Sequence, residues 1–233
     1  HMERYDKFED YRNAKLNIVM NQVEGDLYLA PGEFLSLQTR AHKKAISLVR
    51  GYSFNNPALI GDHHKKNFKV VDDVLDYFNI EKRAGIIQSL INEFTGVKYR
   101  LEYLGEKNSN VYYNDAKSTN TEATVTAVTT LDKKVILILG GKLRDDTQDL
   151  LASFKEIKNI KKIYAIGEAS EFIDIQLAND FCIEKMNDLE RVFVELKELK
   201  NEIIVFSPAF PSFDQYKNYT ERGKDFEGKF NLL

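Results

Sequence analysis

With 233 residues, the chain has room for one large domain or two modest ones, each burying its own apolar core, and two is the expectation. Hydrophobic residues at 43% and charged residues at 30% fit a soluble globular protein, and no apolar run approaches the ~20 residues of a membrane helix. The 33 basic and 36 acidic side chains are well mixed and leave a formal net charge of -3, which excludes a broad basic surface for a nucleic-acid backbone.

In chain order, His1-Met2 has two open readings, a native pair or a cloning scar outside the fold. The following "ERYDKFEDYRNAKLNIVMNQ" spaces Phe8, Tyr11, Ala14 and Leu16 as a helix, without a clear capping signal. Residues 26 to 60 hold a Pro31-Gly32 turn and scattered apolar positions, to which no element is assigned. Two helices are predicted next. "NFKVVDDVLDYFNI" aligns Phe68, Val71, Leu75 and Phe78, and "RAGIIQSLINEF" aligns Ile86, Ile87, Leu90, Ile91 and Phe94. After Gly96, "KYRLEYLG" and "NVYYND" read as strands, which places a domain boundary near Val97 and divides the chain into 1–97 and 98–233.

The second half alternates. "KVILILGG" (134 to 141), "KKIYAIGE" (161 to 168) and "EIIVFSPA" (202 to 209) are nearly unbroken apolar runs, as strands buried on both faces require. Helical patterns fall around 148 to 156, 169 to 177 and 187 to 199. Strand-helix repetition predicts an α/β fold with a mainly parallel sheet, whose ligands bind at the carboxyl ends of the strands. The residues that follow strands are therefore the candidates: Asp115 to Asn120, Gly140-Gly141-Lys142, Gly167, and Ser207-Pro208-Ala209. In "YYNDAKSTNTEA" (112 to 123), Thr119 and Glu122 have capping-box spacing, which alone only starts a helix. Lys117 conflicts with that reading, because a cation beside the positive end of a helix is unfavourable by up to about 1 kcal/mol. A bound phosphate or carboxylate would resolve the conflict, with Asp115 orienting Lys117 or accepting hydrogen bonds from a sugar.

These residues resemble a family. "NDAKSTN" followed by "EAT", "ILGG" one strand later and "SPAFPSFDQYKNYTERG" near the end are similar to the carboxyl-terminal domain of the Mur ligases. Within that family the Asn-Asp-x-Lys-x-Thr-Asn form, in place of Asp-x-Ala-His, resembles the members that add D-glutamate to UDP-N-acetylmuramoyl-L-alanine. Upstream, "HMERYDKFEDYRNAKL" and "GDHHKKN" resemble segments of the central ATPase domain, and the resemblance is weak between residues 20 and 58.

The resemblance implies a Rossmann-like carboxyl-terminal domain (98–233) preceded by part of a central ATP-binding α/β domain (1–97). It implies ATP and Mg2+, an acyl-phosphate intermediate, and attack on it by the amine of D-glutamate. His1 matches a magnesium-ligand histidine, and Lys15 a lysine that becomes carbamylated and serves as a second metal ligand; otherwise Lys15 is an exposed helix lysine. Asn67 matches an adenine-side asparagine, or caps the helix before Phe68. His64 stands where the family has asparagine. Arg100 matches an arginine at the nucleotide phosphates, or a salt-bridge partner, and Asp115 an aspartate near the ribose. D-Glutamate recognition falls on Lys117, Thr119, Ser212, Tyr219 and one of Lys142 and Arg144, with Arg144 favoured by register. Ser212 with Gln215 also has capping-box spacing, and Tyr219 shares a helical stripe with Tyr216 and Phe226. Phe210 and Pro211 replace smaller family residues, a change expected to reshape the pocket wall.

No GxxxxGK[ST] loop for ATP phosphates occurs in the sequence. The expectation is a carboxyl-terminal piece without the UDP-binding domain and P-loop, inactive alone. Cys182 is the single cysteine and no secretory leader pattern opens the chain, so a reducing, cytoplasmic setting is expected, with a monomer and no nucleic-acid or membrane partner. Two rivals stand beside this reading: a non-catalytic α/β module for a nucleotide or anion, and a Mur ligase for another amino acid.

Overall fold

The computed structural model describes residues 5, 7–81, 83–143 and 151–233. The chain divides into two compact units, His1–Asn55 with Gly61–Glu93, and Asn56–Ile60 with Phe94–Leu233.

In the first unit, helix α1 (Phe8–Leu16) buries none of its residues. Strands β1 (Leu27–Ala30) and β2 (His42–Ala45) pair in parallel, from Leu27 opposite His42 to Ala30 opposite Ala45. This pair lies in the stretch to which the sequence assigned no element. The reason is visible in β2, whose His-Lys-Lys-Ala run is mostly exposed and carries no apolar alternation. Helix α2 (Asp62–Tyr77) starts five residues earlier than "NFKVV" suggested, directly after Gly61, whose φ of 93° glycine adopts without strain. Helix α3 (Arg83–Glu93) buries Ile87 and Ile91 but leaves Ile86 and Leu90 exposed. Adjacent residues point about 100° apart around a helix, and α3 turns a face narrower than that inward, so Ile87 and Ile91, four apart, are buried while their neighbours face out. Val71 and Phe78 of the expected α2 stripe are also exposed, whereas Phe68 is buried. Asp73, buried on α2, forms ion pairs with Lys44 at 2.5 Å and with Lys69.

The second unit is a two-faced α/β layer structure. Its elements are β3 (Glu102–Lys107), β4 (Asn110–Asn114), α4 (Thr121–Thr130), β5 (Val135–Gly140), β6 (Ile160–Ile166), α5 (Ser170–Leu177), β7 (Ile183–Met186), α6 (Leu189–Leu196), β8 (Ile203–Ala209) and α7 (Tyr219–Asn231). One six-stranded sheet has the order β3-β4-β8-β5-β6-β7, parallel except where β3 pairs with β4. Successive β5 residues explain the unbroken apolar run. Leu137 and Leu139 enter a core with Val128, Leu131, Ile163, Ile173 and Leu177, while Ile136 and Ile138 enter the opposite core with Leu189, Val192, Phe193 and Phe226.

Several boundaries differ from expectation. Strand β7 was not foreseen, because Ile-Glu-Lys-Met at the sheet margin is only half-buried and reads as polar. The pattern around 148 to 156 is a 3-10 turn at Ala152–Glu156, and residues 144–150 lie outside the described ones. Among the described residues, no helix is long and apolar enough to cross a membrane.

Candidate functional site

The motif after β4 is held by a buried carboxylate. Asp115 is 5% exposed, and its Oδ2 accepts hydrogen bonds from the hydroxyls of Ser118 and Ser207, both at 2.6 Å, while Oδ1 accepts from the Leu101 amide at 2.9 Å. Ser207, on β8, also bonds the Thr124 hydroxyl on α4 at 2.9 Å, so one carboxylate joins β4, β8 and the first turn of α4. Burial raises the Asp115 pKa above the ordinary carboxylate value, and these three donors, with the Arg100 charge, oppose the rise. A carboxylate has about four acceptor directions, so a ribose hydroxyl would be a fourth bond on an anchor that already has three. The expected pairing of Asp115 with Lys117 is corrected: no ion pair joins them among the described residues, because Asp115 is directed into the sheet and Lys117 outward.

Lys117 lies between two buried residues, Ala116 and Ser118. Its amide donates to the Tyr99 carbonyl at 3.0 Å, and the Ala209 amide donates to the Ser118 carbonyl at 3.0 Å, which fixes the loop on both sides. The exposed Lys117 side chain places Nζ 5.7 Å from the centroid of the Tyr219 ring, and no carboxylate pairs with it among the described residues. The helix start is set one residue later than expected. Asn120, not Thr119, is the N-cap of α4 and accepts from the Ala123 amide at 2.9 Å, so the capping position expected of Thr119 falls to the next residue. Thr119 is half-buried just ahead of that cap.

Beyond β5, Gly140 and Gly141 have φ of 135° and 143°, and a Cβ on Gly141 would come 2.3 Å from the Pro211 carbonyl oxygen. This close approach lets the Lys142 amide donate to that same carbonyl at 2.8 Å. Lys142 is exposed, and Arg144 lies outside the described residues, as does His1. Ser212 is buried one residue past Pro211. The Ser212-Gln215 capping box is likewise corrected: 212 to 215 form a turn in which the Gln215 amide bonds the Ser212 carbonyl, and the Gln215 side chain bonds Asn187 instead. Tyr216 lies before α7 rather than on its stripe, and its hydroxyl donates to Asp225 at 2.7 Å.

The sequence missed Arg222. It is 1% exposed on α7, and its guanidinium reaches the carbonyls of Ala116 at 3.1 Å, Phe210 at 3.0 Å and, more weakly, Gly140 at 3.5 Å. The signal was present: Tyr219, Arg222, Phe226 and Phe230 recur at helical spacing, which puts the arginine on the buried face. Gly223 beside it allows α7 to press on Tyr99, where a Cβ would come 2.4 Å from the ring. The second unit thus brings together the loops of Lys117, Gly141-Lys142 and Ser212 with Tyr219. Arg100 is exposed in the turn before β3 and has no ion pair among the described residues.

Lys15, His64 and Asn67 belong to the other unit. Lys15 is exposed on α1, with Nζ 5.5 Å from the Tyr11 ring centroid. Asn67 is exposed inside α2, five residues past its start, so it is not a helix cap. His64 is half-buried, its ring 4.1 Å from that of His63, and burial, with His63 adding to it, pushes its pKa down to about 4. Among the described residues, no group of three or more His, Cys, Asp or Glu is placed to hold a metal ion.

The chain is 29% identical over 97% of its length to the UDP-N-acetylmuramoylalanine–D-glutamate ligase of Francisella philomiragia, and it covers 56% of that protein. The Francisella tularensis protein of the same name matches at 29% identity, with 97% and 56% of the two chains covered. The chain is a homologue of the Mur ligases. It spans about half the length of the curated relatives it matches. No protein-family model matches it. Among solved structures, a folylpolyglutamate synthase from Thermotoga maritima superimposes with a TM-score of 0.52 at 14% identity, covering 74% of this chain and 46% of the other. The UDP-N-acetylmuramate–alanine ligase of the same organism also gives 0.52, at 13% identity with 74% and 38% covered. The Mur ligase homologue therefore shares its α/β fold with structures whose sequences have diverged far from its own.

Proposed function

We propose that the chain is the carboxyl-terminal part of an ATP-dependent ligase that joins D-glutamate to UDP-N-acetylmuramoyl-L-alanine in peptidoglycan synthesis, acting in the cytoplasm. The first unit supplies part of a central ATP-binding domain and the second receives the amino acid. The observation that carries this reading is the Lys117 ammonium, unpaired among the described residues and set over Tyr219 in the loop cluster that holds Ser212.

In this reading ATP phosphorylates the carboxylate of the UDP-linked substrate, releasing ADP. The amine of D-glutamate attacks the acyl carbon, the tetrahedral intermediate expels phosphate, and an amide remains. Lys117 pairs with one carboxylate of D-glutamate, and Lys142 or Arg144 with the other. Thr119 and Ser212 supply hydroxyl donors and Tyr219 forms the wall. By the resemblance, Asn67 and His64 have the adenine-side role, Arg100 the phosphate-side role and Asp115 the ribose-side role. His1 and a carbamylated Lys15 would be the ligands for Mg2+, which would neutralise phosphate charge. The described residues do not by themselves form that site, since the Lys15 ammonium is a cation without donor electrons until carbamylated.

The test is phosphate release by the complete gene product with UDP-N-acetylmuramoyl-L-alanine, ATP and one amino acid at a time. D-Glutamate-dependent release is expected. Release with meso-diaminopimelate or lysine and not with D-glutamate rejects the substrate, and no amino-acid dependence at all rejects the ligase.

A further inference from the structure

The loops that carry the candidate carboxylate site come from three strand ends far apart in sequence, and one side chain touches all three. Arg222 Nη2 donates to the carbonyls of Ala116, next to Lys117, and of Phe210, two residues before Ser212, while Nη1 points at the Gly140 carbonyl, just before Gly141-Lys142. The fit is close: a Cβ on Gly141 would come 2.9 Å from Nη1. Two features set this arginine apart from an ordinary structural cation. It has no ion pair among the described residues, although it is 1% exposed, and its Nε has no hydrogen-bond partner. A buried charge held by carbonyl dipoles, with the Asp214 carboxylate acting on it only from beyond ion-pair distance, is costly. The planar fork is what serves here, because a guanidinium can hold several carbonyls at fixed relative positions and an ammonium cannot.

We propose that Arg222 is a positioning residue for substrate carboxylate recognition: it sets the relative heights of the Lys117, Gly141-Lys142 and Ser212 loops, so that their donors converge on one small dianionic amino acid. This rests on the ligase reading above for the identity of the ligand, but the fixing of the loops does not. Phe206 stacks its ring 5.9 Å from the guanidinium carbon and closes the apolar side. Burial lowers the Arg222 pKa to about 10, so the fork stays protonated at neutral pH.

Arg222→Lys tests this, since it keeps the charge and loses the fork. In the complete gene product, the KM for D-glutamate should rise at least about tenfold while the KM for ATP stays within about twofold. Phe226→Leu, on the same buried stripe of α7, is the control for general loosening and should lower Tm with both KM values unchanged. In this 233-residue chain without any ligand, the Lys117 and Lys142 amides should exchange with solvent at least about tenfold faster in Arg222→Lys than in the wild type. A further measurement needs no variant: the wild-type Arg222 Nη–H groups should give separate, slowly exchanging NMR signals.

An unchanged KM for D-glutamate, or a loss of kcat that only follows the loss of folded protein, overturns the positioning role. Unaltered amide exchange in the variant, or a single averaged guanidinium signal in the wild type, overturns it as well. If the wild type shows no D-glutamate dependence yet both NMR results hold, the ligase reading falls and the fixing of the loops stands.

Discussion

Ser207 and Asp115, 92 residues apart in sequence, share a hydrogen bond of 2.6 Å inside the second unit. This bond ties the central strand β8 to the start of the Lys117 loop, so the conformation of that loop depends on the core of the sheet. A loop built this way arrives preorganised, with its ordering entropy spent during folding rather than on binding.

Asp115→Asn should therefore destabilise the protein by about 2 kcal/mol, because an amide nitrogen would face hydroxyl or amide donors at one of the two oxygen positions. Urea denaturation at pH 7 measures it. The pH dependence has a definite sign. Since burial raises the folded-state pKa of Asp115 above 3.8, the folded form holds its proton more tightly, and the stability contributed by that proton is full below 3.8 and lost as pH rises through the folded value. The urea midpoint of the wild type relative to Asp115→Asn should fall across that window, and a parallel pair of profiles would contradict it.

Lys117→Met should leave stability nearly unchanged, because the side chain is exposed and its contact with the Tyr219 ring contributes only about 0.5 to 1 kcal/mol. On the proposed function, D-glutamate-dependent phosphate release by the complete gene product should fall at least about a hundredfold, with Lys117→Arg intermediate. Thermal unfolding run beside a phosphate-release assay separates the two effects.

The helix start distinguishes two neighbouring substitutions. Asn120→Ala should cost about 1 kcal/mol through loss of the cap to the Ala123 amide, and Glu122→Ala only a few tenths. Equal losses on thermal unfolding would restore the capping box that the sequence suggested.

In the first unit, the pKa of His64 is pushed below its ordinary 6.5 to about 4, chiefly by burial. The unfolded chain then takes up a proton over that interval more readily than the folded one, so stability should drop as pH falls from 6.5 towards 4. His64→Gln should flatten this slope, which denaturant titrations at half-unit pH steps would reveal. The effect has the opposite sign to that of Asp115, and it is moderated by the half-exposed position of the ring.

The sequence made the centre of the second unit legible because strands buried on both faces leave unbroken apolar runs, as in Val135–Gly140 and Ile203–Ala209. It made the Lys117 motif legible because a cation beside a helix start calls for explanation. Elements at the margins were not legible. Ile183–Met186 and His42–Ala45 bury too little surface to impose a pattern, and their pairing is set by neighbours rather than by their own residues. Arg222 was hidden for another reason: a charged residue in a helix defaults to solvent, and only the spacing of Tyr219, Phe226 and Phe230 around it argues otherwise.

The strand order also bears on how the molecule is made. Because β8 lies between β4 and β5, the middle of the sheet is the last strand to leave the ribosome. A nascent chain halted before Ile203 would hold two half-sheets with bare facing edges, open to pairing with other chains. Synthesis through Ala209 supplies the missing strand and, one step later, the helix bearing Arg222, so the second unit should become protease-resistant abruptly once that helix has emerged rather than by degrees.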